Sequence, residues 1–166
     1  MSKEQLNKLF MPPNKLKAKV GGGTFAGLDM AAVQRAEAAM ETLKVEFVDW
    51  IAKDIARLGD AYSTFVANRN ANTGSDLFRA AHDLKGQAAT FEYPLIARVA
   101  ASLSKLMDEL DSPELAPLTL VQAHVEAIRV IFRDKIKDIS NRVALVLVEE
   151  LETRTQQTLE RAAHSE

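Results

Sequence analysis

The sequence predicts an all-α protein: an antiparallel four-helix-bundle core with an extra N-terminal helical segment and an extended C-terminal helix. From Asp29 onward, apolar residues recur at spacings of three, four or seven, which is typical of helices with one buried face. No segment alternates apolar and polar residues as a half-buried strand does. The low content of glycine (7), proline (5) and aromatic residues (6%) also favours helices over sheets.

The first half of the predicted bundle contains two helical regions. Asp29 can cap the first region, which is either one long helix or two helices with a bend near residues 42–44. Trp50 lies on its apolar stripe and is expected in the core. Residues 68–75 have the composition of a loop, so the next helix is predicted over residues 76–91. Its buried stripe is predicted to be Leu77, Ala81, Leu84, Ala88 and Phe91.

The second half contains two more predicted helices. Pro94 is tolerated in the first turn of a helix and marks the start of the third. Residues 111–117 break the pattern, and one long helix is predicted from Leu118, with the chain fraying beyond Thr153. Its apolar stripe is predicted to be Val121, Val125, Ile128, Phe132, Ile136, Ile139, Val143, Val146 and Leu151.

These patterns divide the chain into three parts. Residues 1–28 are predicted to be a flexible basic arm, residues 29–153 a helical bundle, and residues 154–166 a polar tail. The arm contains Gly21-x-Gly23-x-x-Ala26, a partial dinucleotide fingerprint. Because no strand precedes it, a linker is the better interpretation.

Composition excludes several classes of function. The net charge of −2 argues against a general nucleic-acid-binding protein, whose affinity depends on lysine and arginine. The absence of cysteine excludes disulfides, thiolate catalysis and iron–sulfur clusters. No signal peptide or membrane-length apolar stretch is present, so we expect a cytoplasmic protein that does not bind membranes.

One face of the helix predicted over residues 76–91 is unusual. Phe78, His82, Lys85, Gly86 and Ala89 are three or four residues apart and therefore share that face. A glycine within a helix costs about 1 kcal/mol relative to alanine, so its presence is compatible with a need for open space beside the histidine.

This combination suits phosphoryl transfer. A histidine on a rigid helix can act as a nucleophile. Lys85, one turn later, can reach an oxygen of a phosphoryl group on His82, and Arg79 offers a second positive charge. Phosphoryl transfer depends mainly on positioning and on balancing the charge of the oxygens.

His82-Asp-Leu-Lys85-Gly86 matches the His-x-x-Lys-Gly signature of histidine-containing phosphotransfer domains, and the chain resembles that family from about Val45 to Arg133. The small residues Ala81, Ala88 and Ala89 and the apolar Phe91 also fit the family. One departure is Glu92, which stands where the family often has glycine and puts in doubt how the turn before Pro94 is built.

The resemblance implies a phosphorelay intermediate. His82 would accept a phosphoryl group on Nε2 from an aspartyl phosphate of a receiver domain and pass it to another receiver. Lys85 would screen the phosphoryl charge, and Gly86 would give clearance. Phe78, Arg79 and Ala89 are the candidates for partner docking, although Phe78 could equally be buried under a neighbouring helix.

The resemblance also implies the partners and cofactors. The expected partners are response-regulator receiver domains and a hybrid or histidine kinase. The protein would need no cofactor or metal of its own, because Mg²⁺ belongs to the receiver. It would be a phosphotransfer protein rather than an autonomous enzyme, with no ATP hydrolysis. With no kinase segment or receiver domain in the chain, we expect a free-standing relay protein.

A helical bundle could also serve two other functions. A helical adaptor that binds signalling partners without phosphoryl chemistry would have the same fold, so the alternative stays open at this point. A carboxylate metalloenzyme would need inward-facing glutamates and histidines, but the predicted stripes are apolar. His124 is interpreted as a residue at the core boundary. The extra helical length is expected to pack within a monomer, although it could form a homodimer.

Overall fold

The computed structural model describes residues 29–165, so the predicted arm over residues 1–28 lies outside the described residues. Five helices and one short 3-10 turn account for most of these residues, and no strand occurs among them, which confirms the all-α prediction. The helices are α1 (Met30–Ala67), α2 (Ala71–Thr90), α3 (Pro94–Glu109), α4 (Leu118–Arg133) and α5 (Arg142–Ala163), and the 3-10 turn covers Pro113–Leu115.

The chain divides into two compact units, residues 1–43 and residues 44–166. In the first unit, the described residues form the beginning of α1. Asp29 accepts a hydrogen bond from the backbone nitrogen of Ala31 at 3.0 Å, which confirms the predicted cap. Side chains of this unit are mostly exposed, including the apolar Met40 and Leu43.

The second unit contains the helical bundle, with α3 at its centre. α3 packs against α2, α4 and α5. The short connections Asn68–Asn70 and Phe91–Tyr93 reverse the chain between successive helices. Residues along α1 from Ile51 onward complete a core that includes Phe65, Leu84 and Leu103.

α5 packs beside α3 as a fifth helix. Arg98 of α3 forms a forked ion pair with Glu152, at 2.9 and 2.6 Å. About two turns later on α3 and one turn later on α5, Lys105 donates to the side chain of Gln156 at 3.0 Å. Because the second pair of residues comes later than the first in both helices, α3 and α5 run in the same direction.

α2 begins earlier than predicted. Its N-cap is Asn70, whose side chain accepts a hydrogen bond from the Thr73 backbone, while the Thr73 side chain accepts one from Asn70. This reciprocal capping box draws residues 71–75 into the helix. The prediction of a loop over residues 68–75 is therefore wrong for most of that stretch.

The end of α2 shows how the turn before Pro94 is built. Glu92 has φ +61°, in the left-handed region that favours glycine. The backbone nitrogen of Tyr93 donates to the carbonyl of Ala88 at 2.9 Å, which closes the helix end. The turn before Pro94 thus forms with a glutamate in a conformation that a glycine would adopt with less strain.

The prediction of one extended C-terminal helix is wrong, because α4 ends at Arg133 and α5 begins at Arg142. Lys135 adopts φ +53° and terminates α4 without glycine or proline. Asn141 then caps α5 by accepting a hydrogen bond from the Ala144 backbone nitrogen at 3.0 Å. Asp138 lies between them and accepts from the Ser140 backbone nitrogen at 2.8 Å.

This break changes which residues of the C-terminal segment are buried. Ile139, Val143 and Val146 were predicted to face the core, and they are exposed. The interruption resets the rotational phase of the helix, so the set that faces α3 and α4 shares only Leu151 with the predicted stripe. That buried set is Ala144, Val148, Leu151, Thr155 and Leu159. α5 also continues to Ala163, so the predicted fraying beyond Thr153 is wrong.

Candidate functional site

The two faces of α2 differ as the sequence predicts. On the back, Leu77, Ala81, Leu84 and Ala88 are buried in the core, and Phe91 is half-buried. The front face carries all the residues predicted to form the site. His82, Gly86, Arg79 and Ala89 are exposed there, and Phe78 and Lys85 are half-buried.

The imidazole of His82 is open to solvent. Within residues 29–165 its ring nitrogens make no hydrogen bond and no ion pair. Its one ring contact is with Phe78, one turn earlier, with centroids 5.7 Å apart and planes tilted by 35°. Phe78 also packs against the core, so it supports one side of the imidazole and leaves the nitrogens accessible.

Space beside His82 is provided by Gly86. A Cβ atom placed at Gly86 would meet no atom within 4 Å. The glycine is therefore not required by any close contact within the protein. It leaves the approach to the imidazole unobstructed, as the sequence predicts.

Positive charges flank the histidine on the same face. Lys85 and Arg79 form no ion pair with any described residue, so both are available to an incoming anion. The stem of Lys85 is half-buried, which restricts where its ammonium group can lie.

A groove of about 530 Å³ opens beside His82, between α1 and α2. Its lining comprises Asp54 and Arg57 from α1 and His82, Asp83, Gly86, Gln87 and Thr90 from α2. Arg57 Nη2 lies 2.5 Å from Asp83 Oδ2, and both side chains are 53% exposed. This ion pair is not predictable from the sequence, because Arg57 has acidic residues three positions away on either side within its own helix, Asp54 and Asp60.

A partly exposed aromatic cluster is formed by Phe47 and Trp50, which lie one to two turns before Asp54 on α1, and by Phe91 at the end of α2. Phe47 stacks on Phe91 with centroids 4.4 Å apart, and Trp50 lies 5.5 Å from Phe47. Trp50 is 46% exposed, so its predicted place in the core is wrong. At this end of α1 the apolar stripe faces Phe91, which lies at the end of α2. The indole of Trp50 stays partly in solvent.

His124 is the second histidine of the bundle, and it lies inside the core rather than at its boundary as predicted. Its Nδ1 lies 2.7 Å from the carbonyl oxygen of Leu120, and its Nε2 lies 2.9 Å from Ser102 Oγ. Thr155 Oγ1 is 3.0 Å from the same Ser102 oxygen. Because a carbonyl only accepts, Nδ1 carries the proton and Nε2 is the acceptor. Burial lowers the pKa of the His124 imidazole, and the hydrogen bond to Leu120 partly opposes this effect.

Neither a metal site nor a membrane span is found in the described part of the chain. Histidine, aspartate and glutamate do not gather there into a group of three that could hold an ion. None of the helices over residues 29–165 is both long and apolar enough to cross a bilayer.

The described residues thus form a helical bundle in which an exposed histidine lies beside a lysine and an uncovered glycine. The family model described as the Hpt domain matches residues 42–131, more than half of the 166-residue chain. The chain belongs to the Hpt domain family. Neither the curated proteins nor the solved structures contain a match. Hpt domains act in histidine phosphotransfer within phosphorelays and interact with receiver domains and kinases of two-component systems.

Proposed function

We propose that His82 accepts a phosphoryl group from the aspartyl phosphate of one receiver domain and passes it to a second receiver. The observation that carries this proposal is the environment of the imidazole. It lies exposed within the Hpt-matched region, without a hydrogen bond to any described residue, on an open helix face. A nucleophilic nitrogen in that position is free to meet a reactive group on another protein.

The transfer is a substitution at phosphorus. The lone pair of His82 Nε2 forms the new N–P bond while the P–O bond to the aspartyl carboxylate breaks. The carboxylate leaves with the electron pair of that bond, and Nδ1 carries the imidazole proton until water accepts it. Passage to a second receiver is the reverse reaction, with an aspartate oxygen attacking the phosphorus.

Lys85 and Gly86 support this step in different ways. The ammonium of Lys85, which has no ion pair among the described residues, screens the charge of the phosphoryl oxygens. Gly86 keeps a volume free beside the ring, since a Cβ there would meet nothing within 4 Å. A receiver can then bring its aspartate close to Nε2.

Docking involves the surface around the histidine. Phe78, Arg79 and Ala89 lie on the same face of α2 and are at least partly exposed. A partly buried aromatic ring beside an exposed cation is a common composition for a contact that carries binding energy. The Mg²⁺ and the acidic residues that assist transfer belong to the receiver in this proposal.

The adaptor alternative is less well supported. An adaptor that never carries a phosphoryl group would not need an unpaired imidazole beside an uncovered glycine. The environment of His82 therefore favours the relay function over simple binding.

The proposal is tested with two receiver domains. The first receiver, phosphorylated on its aspartate, is mixed with the protein and with a second, unphosphorylated receiver. We expect the label to reach the second receiver through the parent protein and not through the His82→Gln variant. Tight binding of both receivers to the parent, with no label on either the protein or the second receiver, would favour the adaptor instead.

A further inference from the structure

The groove beside His82 contains an arginine contributed by another helix. Arg57 comes from α1, and its guanidinium pairs with Asp83, the residue that directly follows His82. Arg57 and His82 both line the groove. The pair therefore places a cation of α1 next to the proposed phosphoacceptor of α2.

Helix geometry places this cation on the flank of His82 that Lys85 does not cover. Lys85 lies three residues after His82, and thus about 60° to one side around the helix axis. Asp83 lies about 100° to the other side, toward the groove. A phosphoryl group on His82 would therefore have Lys85 on one flank and the groove with Arg57 on the other.

Apart from Arg57 and the histidine, the charged residues that line the groove are acidic. Asp54 and Asp83 both line it, and their carboxylates would repel a phosphoryl dianion on His82. Among the described residues of the lining, Arg57 is the one with a permanent positive charge. Without it, this flank of the histidine would be purely acidic.

The guanidinium of Arg57 is also free to change partners. In the ion pair with Asp83, both side chains are about half exposed. Exposed ion pairs of this kind contribute little to the stability of the fold. A phosphoryl group carries more charge than a carboxylate and offers three oxygens to the planar fork of an arginine. The phosphoryl oxygens would therefore compete with the Asp83 carboxylate for the guanidinium.

We propose that Arg57 is a second phosphoryl-binding residue, which Asp83 holds beside His82 until the imidazole is phosphorylated. This inference rests on the proposed role of His82 as phosphoacceptor. It assigns to α1, rather than to the helix of the motif, a part in stabilising the phosphorylated state. It also gives Asp83 a role as the resting partner of the arginine.

The test uses a small donor so that receiver docking does not enter. The full chain is loaded with phosphoramidate, which transfers its phosphoryl group to imidazole and releases ammonia. The half-life of the phosphohistidine is then measured for the parent, Arg57→Gln and Arg57→Lys. Arg154→Gln is the matched control, because Arg154 forms a similarly exposed ion pair with Glu150, at 2.6 Å, on a helix that does not line the groove.

We expect Arg57→Gln to shorten the half-life about two- to fivefold, as loss of one exposed charge interaction implies. Arg57→Lys should recover part of the loss, and Arg154→Gln should match the parent. Salt screens exposed charges, so the difference should shrink at about 1 M salt, which a purely structural effect would not do. Thermal unfolding checks that the variants stay folded.

The outcomes separate this inference from the proposed function. A parent that is labelled on His82, with equal half-lives in Arg57→Gln and Arg154→Gln, would overturn the role of Arg57 and leave the role of His82 intact. A difference that persists unchanged at high salt would also contradict it. A parent that carries no label on His82 would refute both proposals.

Discussion

His82 and His124 lie in the same bundle and have opposite environments. His82 on α2 is exposed and makes no hydrogen bond to a described residue, whereas His124 on α4 has no exposed surface. The nitrogens of His124 are occupied by the Leu120 carbonyl and the Ser102 hydroxyl, with Thr155 completing the cluster. One imidazole is available to a partner, and the other joins α3, α4 and α5.

The contrast shows that the neighbours of an imidazole decide its role. Both rings have the same chemistry, yet only the ring on α2 combines access, nearby positive charge and clearance at Gly86. The buried ring is held neutral, because burial disfavours its protonated form.

The largest effect is expected from His124→Ala. The substitution leaves a cavity and removes a hydrogen-bond partner from Ser102, so the free energy of unfolding should fall by about 2–4 kcal/mol. Urea unfolding measures the change. His82→Gln is the reference and should stay within about 0.5 kcal/mol of the parent, since its side chain is exposed. Equal losses of unfolding free energy in the two variants would contradict the distinction between a buried and an exposed histidine.

The pH dependence of the free energy of unfolding tests the burial of His124. The pKa of His124 is lowered in the folded state, so between the folded pKa and about 6.5 the unfolded chain binds a proton that the folded chain does not. The free energy of unfolding is therefore highest above that window. Within the window it falls with decreasing pH, by at most about 1.4 kcal/mol per pH unit.

The control for this titration is His124→Gln, which removes the imidazole and can still form hydrogen bonds. Its free energy of unfolding should decline less than that of the parent between pH 7 and 5. An identical decline in both proteins would mean that another group is responsible.

Clearance beside His82 is tested by Gly86→Phe. The ring would occupy the space that is now open, so phosphorylation by a receiver should slow by about tenfold, or about 1.4 kcal/mol in barrier height. Stability should be unchanged or higher, because glycine is the weaker helix former. Gly86→Ala is the matched control and should transfer at close to the parent rate. A Phe variant that transfers as fast as the parent would exclude the steric role.

The smallest effect is expected from Lys85→Ala. Removing one partly exposed charge should reduce the transfer rate or the lifetime of the phosphohistidine about threefold, while the bundle stays folded. Lys105→Ala on α3, an exposed lysine that donates to Gln156, gives the comparison. If the two variants relay equally fast and their phosphohistidines are equally long-lived, Lys85 has no specific part in the reaction.

Much of the site could be predicted from local sequence, because it lies on a single helix. His82, Lys85 and Gly86 fall on one face by helical spacing alone, and the buried stripe on the opposite face fixes which side that is. Glu92 departs from the glycine that the family resemblance leads us to expect. Its positive φ explains why glycine suits that position. No contact between distant segments was needed for these predictions.

The features of the fold and the site that the sequence did not predict depend on contacts between helices or on a single backbone torsion angle. Arg57 meets Asp83 across 26 positions of sequence, and nothing local distinguishes it from other exposed arginines. The break at Lys135 has neither glycine nor proline to mark it, and apolar residues continue at helical spacing through it. The nearby Asn141, which caps α5, and Asp138, which accepts from Ser140, are residue types that favour caps and turns, and they are the available signal.

The position of His124 near Val121, Val125 and Ile128 predicts a residue at the core boundary. Its burial depends on Ser102 and Thr155, which come from two other helices and satisfy its second nitrogen. Helical spacing within α4 cannot show those partners. A buried polar residue is predictable only when the residues that satisfy it are known.

The central claim is that His82, and not His124, carries the phosphoryl group. The most direct measurement incubates the parent, His82→Gln and His124→Gln with a phosphorylated receiver domain and assays each for an acid-labile, base-stable phosphate. We predict that the parent and His124→Gln acquire it and that His82→Gln does not. An acid-labile phosphate on His82→Gln would contradict the account.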